Sequence, residues 1–240
     1  MKIAWFSGGA TSAIACKLAL QNYDDVEIYY IETGSHHPDL LRFKNDCEKW
    51  FNKEIKTIQS PYKDHFEVFE KTGVISMPNY TPCTKLLKVR PREEFEYNHP
   101  EITHYIWGFE YGAKEENRAK KMVERYPQYK HLFPLIDAKL NKKSCLMLLE
   151  QANIKVPEMY IKGYHNNNCI GCVRGGAGYW NKIRVDFPEK FKRMSEIERK
   201  IGHSVLKTCY LDELPTDAGR EEKELMPMCS IFCGFINIEE

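Results

Sequence analysis

Ser7-Gly8-Gly9-Ala10-Thr11-Ser12 lies between a short apolar run, Ile3-Ala4-Trp5-Phe6, and the stretch Ala13-Ile14-Ala15-Cys16-Lys17-Leu18-Ala19-Leu20. The order reads as strand, glycine turn, helix. Two adjacent glycines let the backbone enter φ > 0 and approach a ligand without a Cβ in the way. The hydroxyls of Ser7, Thr11 and Ser12, with the first N–H groups of the helix, form a cradle for an anion, and the positive end of the helix dipole favours phosphate there. A tight strand-to-helix turn with an N-cap serine fits the same six residues. The Gly-Lys-Ser/Thr ending of a Walker loop is missing, and the stretch is not Gly-x-Gly-x-x-Gly.

Outward from this turn, strands and helices alternate. Lys2–Phe6 and Val26–Ile31 read as buried strands, with helices expected over Thr11–Gln21 and Asp39–Phe51. A third strand is expected at Lys56–Ile58, irregular chain over 60–82, a helix over Lys85–Tyr97, a strand at Thr103–Trp107, and helices over Lys114–Arg125 and Lys142–Gln151. Such alternation predicts a doubly wound α/β fold whose sheet is mostly parallel, with helices on both faces. Ligands of such sheets sit beyond the carboxyl ends of the strands, where the glycine turn points. The alternation stops near Ala152, so the expected division is a nucleotide-binding domain over 1–151 and a C-terminal extension over 152–240, with one further helix at Phe187–Ile201.

A net charge of +1 over 240 residues excludes a global field that would recruit nucleic acid or membrane. No apolar run reaches the ~18 residues of a membrane span. One lysine and four apolar residues at the N-terminus are too little for a secretory signal, so a cytoplasmic protein is expected. Local basic runs remain. Lys114, Arg118, Lys120, Lys121 and Arg125 are interleaved with glutamates and read as a solvated helix face; Arg184, Lys190, Lys192, Arg193, Arg199 and Lys200 are more one-sided and open to RNA or DNA phosphates.

Nine cysteines is a high, odd count, which in a reducing compartment argues for metal or redox chemistry rather than a disulfide framework. Cys16, Cys47 and Cys145 fall in helix-like stretches and read as small core residues. Cys169-Ile170-Gly171-Cys172 can chelate a metal, form a redox disulfide, or do neither. Cys83 is a third thiol in an unlike loop, and three such thiols suit an iron–sulfur cluster beside the zinc, redox and inert alternatives. His36 and His37, in the loop after the second strand, either contact phosphate or line a wet loop.

The chain resembles the phosphoadenosine/adenosine phosphosulfate reductase family, within the adenine nucleotide alpha-hydrolase superfamily of PP-loop ATP pyrophosphatases. Ser7–Ser12 is similar to its Ser-Gly-Gly-x-Asp-Ser pyrophosphate loop, and Glu32-Thr33-Gly34 with Pro38, Asp39 and Phe43 to its Asp-Thr-Gly segment. Cys83-Thr84-Lys85-Leu86-Leu87-Lys88-Val89-Arg90-Pro91 resembles the Cys-Cys-x-x-x-Lys-Val-x-Pro of cluster-containing members. Trp107-Gly108 with Glu116 and Arg118, Pro134-Leu135-Ile136-Asp137, and Tyr160-Ile161-Lys162-Gly163-Tyr164 with Cys169 and Cys172 resemble later family segments in the same order.

The resemblance implies an enzyme of sulfur chemistry that binds an adenine nucleotide (adenosine 5′-phosphosulfate, its 3′-phosphorylated form, or ATP with magnesium) through Ser7, Gly8, Gly9, Ala10, Thr11, Ser12, Glu32, Thr33, Gly34 and Gly108. It implies a 4Fe–4S cluster on Cys83, Cys169 and Cys172, with Lys88 beside it, and a thioredoxin-like reductant as partner. Phe232-Cys233-Gly234 keeps the cysteine and glycine of the family's C-terminal Glu-Cys-Gly, which marks Cys233 as the candidate nucleophile against a plain apolar-tail cysteine. Two departures stand out. Thr11 replaces the loop aspartate that ATP-using relatives place near magnesium or phosphate, and Thr84 replaces the second cysteine of the pair, leaving three cluster thiols. An iron without a thiolate suits sulfur transfer to tRNA or DNA, a second reading; a non-catalytic nucleotide or cluster sensor is a third. A homo-oligomer is expected.

Overall fold

A computed structural model describes residues 1–77 and 80–219. The strands are β1 (Lys2–Trp5), β2 (Val26–Glu32), β3 (Ile55–Gln59), β4 (His104–Ile106) and β5 (Lys130–Leu132). The helices are α1 (Ala10–Asn22), α2 (Asp39–Phe51), α3 (His65–Thr72), α4 (Pro82–Thr84), α5 (Arg90–Asn98), α6 (Ala113–Arg125), α7 (Pro134–Asp137), α8 (Lys142–Gln151), α9 (Glu158–Ile161), α10 (Ala177–Asp186) and α11 (Pro188–Ile201). A π-helical turn, Lys85–Val89, joins α4 to α5, and a 3-10 turn covers Leu211–Glu213.

The sheet is all-parallel, in the order β3-β2-β1-β4-β5. Lys2 stands opposite Val26 on one side and His104 on the other, so β1 is central and both its neighbours are reached by crossovers. Two compact units divide the chain. The first gathers Met1–Ile31, Pro38–Ile58 and Phe95–Asn167; the second gathers Glu32–His37 and the described residues of Gln59–Glu94 and of the chain from Asn168 on.

The core of the first unit sits around α1. This helix is apolar on most sides and packs on β1, α2, α7 and α8, which buries Ala13, Ile14, Cys16 and Ala19 against Phe43, Leu135, Cys145 and Leu149. Cys16, Cys47 and Cys145 are all at most 1% exposed, as expected of core cysteines. Burial pushes the thiols of Cys16 and Cys47 far above the ordinary range and that of Cys145 up to about 12, so none is a ready nucleophile.

In the second unit, α3 packs on α11 and α4, and α10 packs on α11. Phe66, Phe69, Trp180 and Ile183 are buried there. The 60–82 stretch, expected to be irregular, contains α3. Asp64 caps it by accepting the Glu67 N–H at 2.8 Å, and Gly73 ends it at φ +67°. Among the described residues no helix is long and apolar enough to cross a membrane.

Candidate functional site

The glycine turn leaves the carboxyl end of the central strand and enters α1 at Ala10. Gly8 takes φ +78°, which an L side chain adopts only with strain. The Ser12 hydroxyl is turned into the loop itself: it accepts from the Ser7 N–H at 3.0 Å and the Ser7 hydroxyl at 3.1 Å, and donates to the Gly9 carbonyl at 2.9 Å. Its role is to hold the loop's shape. Asn167, 4% exposed, donates its Nδ2 to the Gly8 carbonyl at 2.8 Å, and the Tyr160 hydroxyl accepts the Ala10 N–H at 3.3 Å. Gly108, just past β4, stands so close to α1 that a Cβ on it would lie 2.8 Å from the Ser12 Cα. Gly108 and the Tyr160 segment, which belong to one ordered set of family-like segments in the sequence, both bear on the loop. Behind Tyr160, Lys142 lies 5.1 Å from the ring centroid and donates to Asn166 Oδ1 at 2.6 Å and to the His165 carbonyl. Burial lowers its pKa to about 8.

The thiols form a separate constellation within the second unit. Cys83, Cys169 and Cys172 line one cleft, together with His65, Thr84, Lys88 and Asn168. Each of these cysteines is partly exposed. Cys83 is the middle residue of α4, and Lys88 sits on the π-helical turn. That turn has a local cause. Pro91 has no N–H for the Leu87 carbonyl four residues back, and the Ser60 hydroxyl donates to that carbonyl instead, at 2.6 Å. Buried Thr84, where a second cysteine would stand, is 1% exposed.

Tyr179 shapes the Cys-x-x-Cys loop. Its hydroxyl accepts the N–H groups of Gly171 and Cys172, both at 2.9 Å, and donates to the Cys169 carbonyl at 3.2 Å. Gly171 takes φ +80° between the two thiols. Glu32, Thr33 and Gly34, expected at a nucleotide, belong to this unit. The Glu32 carboxylate accepts the Gly34 N–H at 2.7 Å, and Gly34 packs against the Lys63 carbonyl so tightly that a Cβ there would lie 1.7 Å from its oxygen. The Thr33 hydroxyl is 3.9 Å from Cys169 Sγ and 3.2 Å from His36 Nδ1. Burial, with Lys88 and His65 nearby, depresses the His36 pKa to about 3, so the ring is neutral. His37 meets the edge of the Phe187 ring.

His65 is a cleft residue that no sequence pattern singles out. It is 2% exposed, and neither ring nitrogen has a partner in hydrogen-bond geometry. Burial, with Lys190 and Arg193, lowers its pKa to about 4, although the Asp64 carboxylate and the Gly171 main chain pull the other way. Asn168 Nδ2, also on the cleft, is a second buried polar atom without a partner. A cleft lined by three thiols and by buried nitrogens lacking partners fits an iron–sulfur cluster, which takes thiolate ligands and accepts hydrogen bonds at its sulfurs. Among the described residues no three His, Cys, Asp or Glu side chains are grouped to hold a single metal ion. Ligands of a cluster bind different irons and stand further apart.

The one-sided basic run of the C-terminal region is largely consumed inside the unit. Arg193 pairs with Asp64 at 2.8 Å, Arg199 pairs with Asp212 at 2.7 Å and lies over Tyr210, and Arg184 donates to the Leu211 and Leu214 carbonyls. Cys233 lies outside the described residues.

A parallel sheet with a Gly-Gly loop at the end of its central strand, running into a helix, defines an α/β protein of the phosphate-loop kind. The family model for the phosphoadenosine phosphosulfate reductase domain matches residues 2–175, and the chain belongs to that family. Two uncharacterized proteins of Methanocaldococcus jannaschii are similar in sequence: MJ0973, 23% identical over 202 residues (82% of this chain, 47% of that protein), and MJ0066, 24% identical over 200 residues (81% and 41%). The chain thus spans less than half the length of these curated relatives. Among solved structures, phosphoadenylyl-sulfate reductase from Candida auris, in a phosphate complex, is similar in fold, with a TM-score of 0.54 and 14% identity over 70% of this chain and 80% of that one. The U34-tRNA thiolase NcsA from Methanococcus maripaludis, with its [4Fe-4S] cluster, matches with a TM-score of 0.41 and 15% identity over 93% and 83%.

Proposed function

We propose that this protein carries out adenine-nucleotide-dependent sulfur chemistry of the sulfonucleotide reductase type, with a 4Fe–4S cluster on Cys83, Cys169 and Cys172. The observation that carries this reading is that three cysteines from distant parts of the chain line one cleft with Lys88. Family membership supplies the nucleotide: the Ser7–Ser12 loop would hold a phosphate of adenosine 5′-phosphosulfate or its 3′-phosphorylated form. The cluster, when bound, would supply a fixed electrostatic and redox centre. Thr33, near Cys169, and Lys88, on the cleft wall, would flank it, the lysine offsetting thiolate charge.

The reaction follows from the substrate. The Cys233 thiolate would attack the sulfur of the phosphosulfate, the sulfur–oxygen bond to the phosphate would break, and AMP or adenosine 3′,5′-bisphosphate would leave. The resulting S-sulfocysteine would be reduced by a thioredoxin-like dithiol, which becomes a disulfide while sulfite departs and the Cys233 thiol returns.

The test is iron and acid-labile sulfide analysis of anaerobically purified protein, beside Cys169→Ala, followed by sulfite release from each sulfonucleotide. Iron and sulfide in the wild type, their loss in Cys169→Ala, and sulfite release abolished by Cys233→Ala are expected. Cluster without sulfite release, but with ATP consumed in the presence of tRNA or DNA, would support the thiolation reading instead. Buried Thr84 in place of a fourth thiol is the observation that favours that alternative.

A further inference from the structure

We propose that the His65 imidazole is the fourth protein ligand of the cluster in this cleft, an inference that rests on the cluster assignment above. Three thiols leave one iron of a four-iron cluster without a cysteine. The residue that takes the missing cysteine's place in sequence, Thr84, brings a neutral hydroxyl, a poor ligand for iron in a sulfide cluster. His65 is the imidazole on the cleft wall, and imidazole is an established alternative to thiolate at cluster iron.

Its setting is that of a ligand awaiting its partner. The ring is 2% exposed, and neither nitrogen makes a hydrogen bond of good geometry, although the Gly171 main chain stands close enough to act on the ring. Nε2 is turned toward the Cys-x-x-Cys loop, 3.7 Å from where a Cβ on Gly171 would stand. The ring is fixed from behind: it lies 4.0 Å from the Phe66 centroid and meets the Phe69 edge at 5.7 Å. The backbone beneath it is fixed as well. The His65 N–H donates to Ser35 Oγ at 3.0 Å, and Asp64, one residue before, caps α3 and is gripped by Arg193. This is the kind of rotamer locking that a metal ligand needs. The other groups with candidate roles are engaged or unsuitable. His36 faces the Thr33 hydroxyl, Lys88 is a cation, and the Asn168 amide nitrogen can only donate.

The experiment uses the full chain, purified or reconstituted without oxygen, as wild type, His65→Ala and His65→Cys. Iron and sulfide are counted, the cluster is reduced with dithionite, and pulsed EPR is recorded on protein with natural-abundance and ¹⁵N-labelled histidine. About four irons and four sulfides per chain are expected in the wild type, with a strongly coupled nitrogen that changes on ¹⁵N-histidine labelling. That coupling should vanish in both variants. His65→Cys should keep its four irons and shift to a lower reduction potential, which also shows that loss of the imidazole leaves the fold intact. His65→Ala should shed iron toward a three-iron form. A wild-type cluster without a strongly coupled histidine nitrogen, or with one that persists in His65→Cys, overturns the assignment of His65 while leaving the cluster standing. Absence of iron and sulfide from the wild type overturns the cluster reading itself.

Discussion

Replacing Tyr179 by phenylalanine removes one oxygen atom and leaves the packing volume almost unchanged. That atom is saturated: it accepts two N–H groups at 2.9 Å and donates one hydrogen bond at 3.2 Å, all to the backbone of residues 169–172. Without it, the Gly171 and Cys172 N–H groups are orphaned beside a buried ring, since Tyr179 is 6% exposed. Each orphaned buried donor costs about 1–3 kcal/mol, so two set a floor of about 2 kcal/mol on the loop's preference for its present shape. At about 1.4 kcal/mol per tenfold, opening of the loop becomes about 30-fold more frequent. Amide hydrogen exchange at Gly171 and Cys172, followed by mass spectrometry of the peptide that contains them, reads this directly. Exchange at α1 in the first unit should stay at the wild-type rate. The same variant should lose iron faster in the presence of a chelator, because two of the three thiols ride on this loop. Exchange within threefold of wild type at both amides would refute the reasoning, since it would mean that the hydroxyl does not set the loop's geometry.

Gly108→Ala brings a methyl group to 2.8 Å from the Ser12 Cα, about 0.6 Å inside ordinary contact, and should cost about 1–3 kcal/mol in denaturant unfolding while weakening binding of AMP; an unchanged midpoint would show that the loop has room to yield. Glu198 is fully buried and accepts the N–H groups of Val205 at 2.9 Å and of Leu211, so Glu198→Gln turns an amide donor toward one of them and should destabilise the protein by about 2–3 kcal/mol by the same measurement. Lys142 should titrate near pH 8 rather than 10.5 in carbon-13 NMR of labelled lysine, the signal being assigned by its loss in Lys142→Arg. Because its folded pKa is the lower one, the unfolded chain binds the extra proton between pH 8 and 10.5, and the contribution of Lys142 to stability rises with pH across that window.

The sheet was legible because its central strands are buried on both faces. Lys2–Phe6 and Val26–Ile31 read as strands from apolar and β-branched content alone, and β1 and β2 fall on them. The glycine loop was legible for a backbone reason: φ +78° at Gly8 is a conformation that sequence advertises through glycine. β5, three residues long and half exposed, carries too little pattern to be read. α3 was hidden by Pro61 and Gly73, which read as breakers of the whole stretch, although Asp64 and Glu67 stand at the spacing of a helix N-terminus. The arginines of the C-terminal run looked available for phosphate because their partners lie far away in sequence; Arg193 reaches Asp64 across 129 residues. The three thiols that line the cleft emerged through motif order. His65 did not, because a histidine after a capping aspartate has no one-dimensional signature, and its meaning comes from what surrounds it in space.

Thr84 and His65 together give the site a charge logic. In a four-cysteine site the second cysteine of the pair contributes a thiolate, whereas here a buried, neutral threonine stands in its place. The group offered from across the cleft is an imidazole held neutral by burial. The proposed ligand set would therefore be one negative charge poorer, and Lys88 on the cleft wall contributes a positive one. With a cluster in the cleft as proposed, both features would act in the same direction: they would stabilise its reduced form, which carries one more electron, and raise its potential above that of a four-thiolate cluster. Lys88→Gln should move the potential down while iron content stays at the wild-type level, because the lysine acts through its charge rather than as a ligand. A potential unchanged by Lys88→Gln would mean that the ammonium is screened from the cluster and that the charge logic fails at that residue.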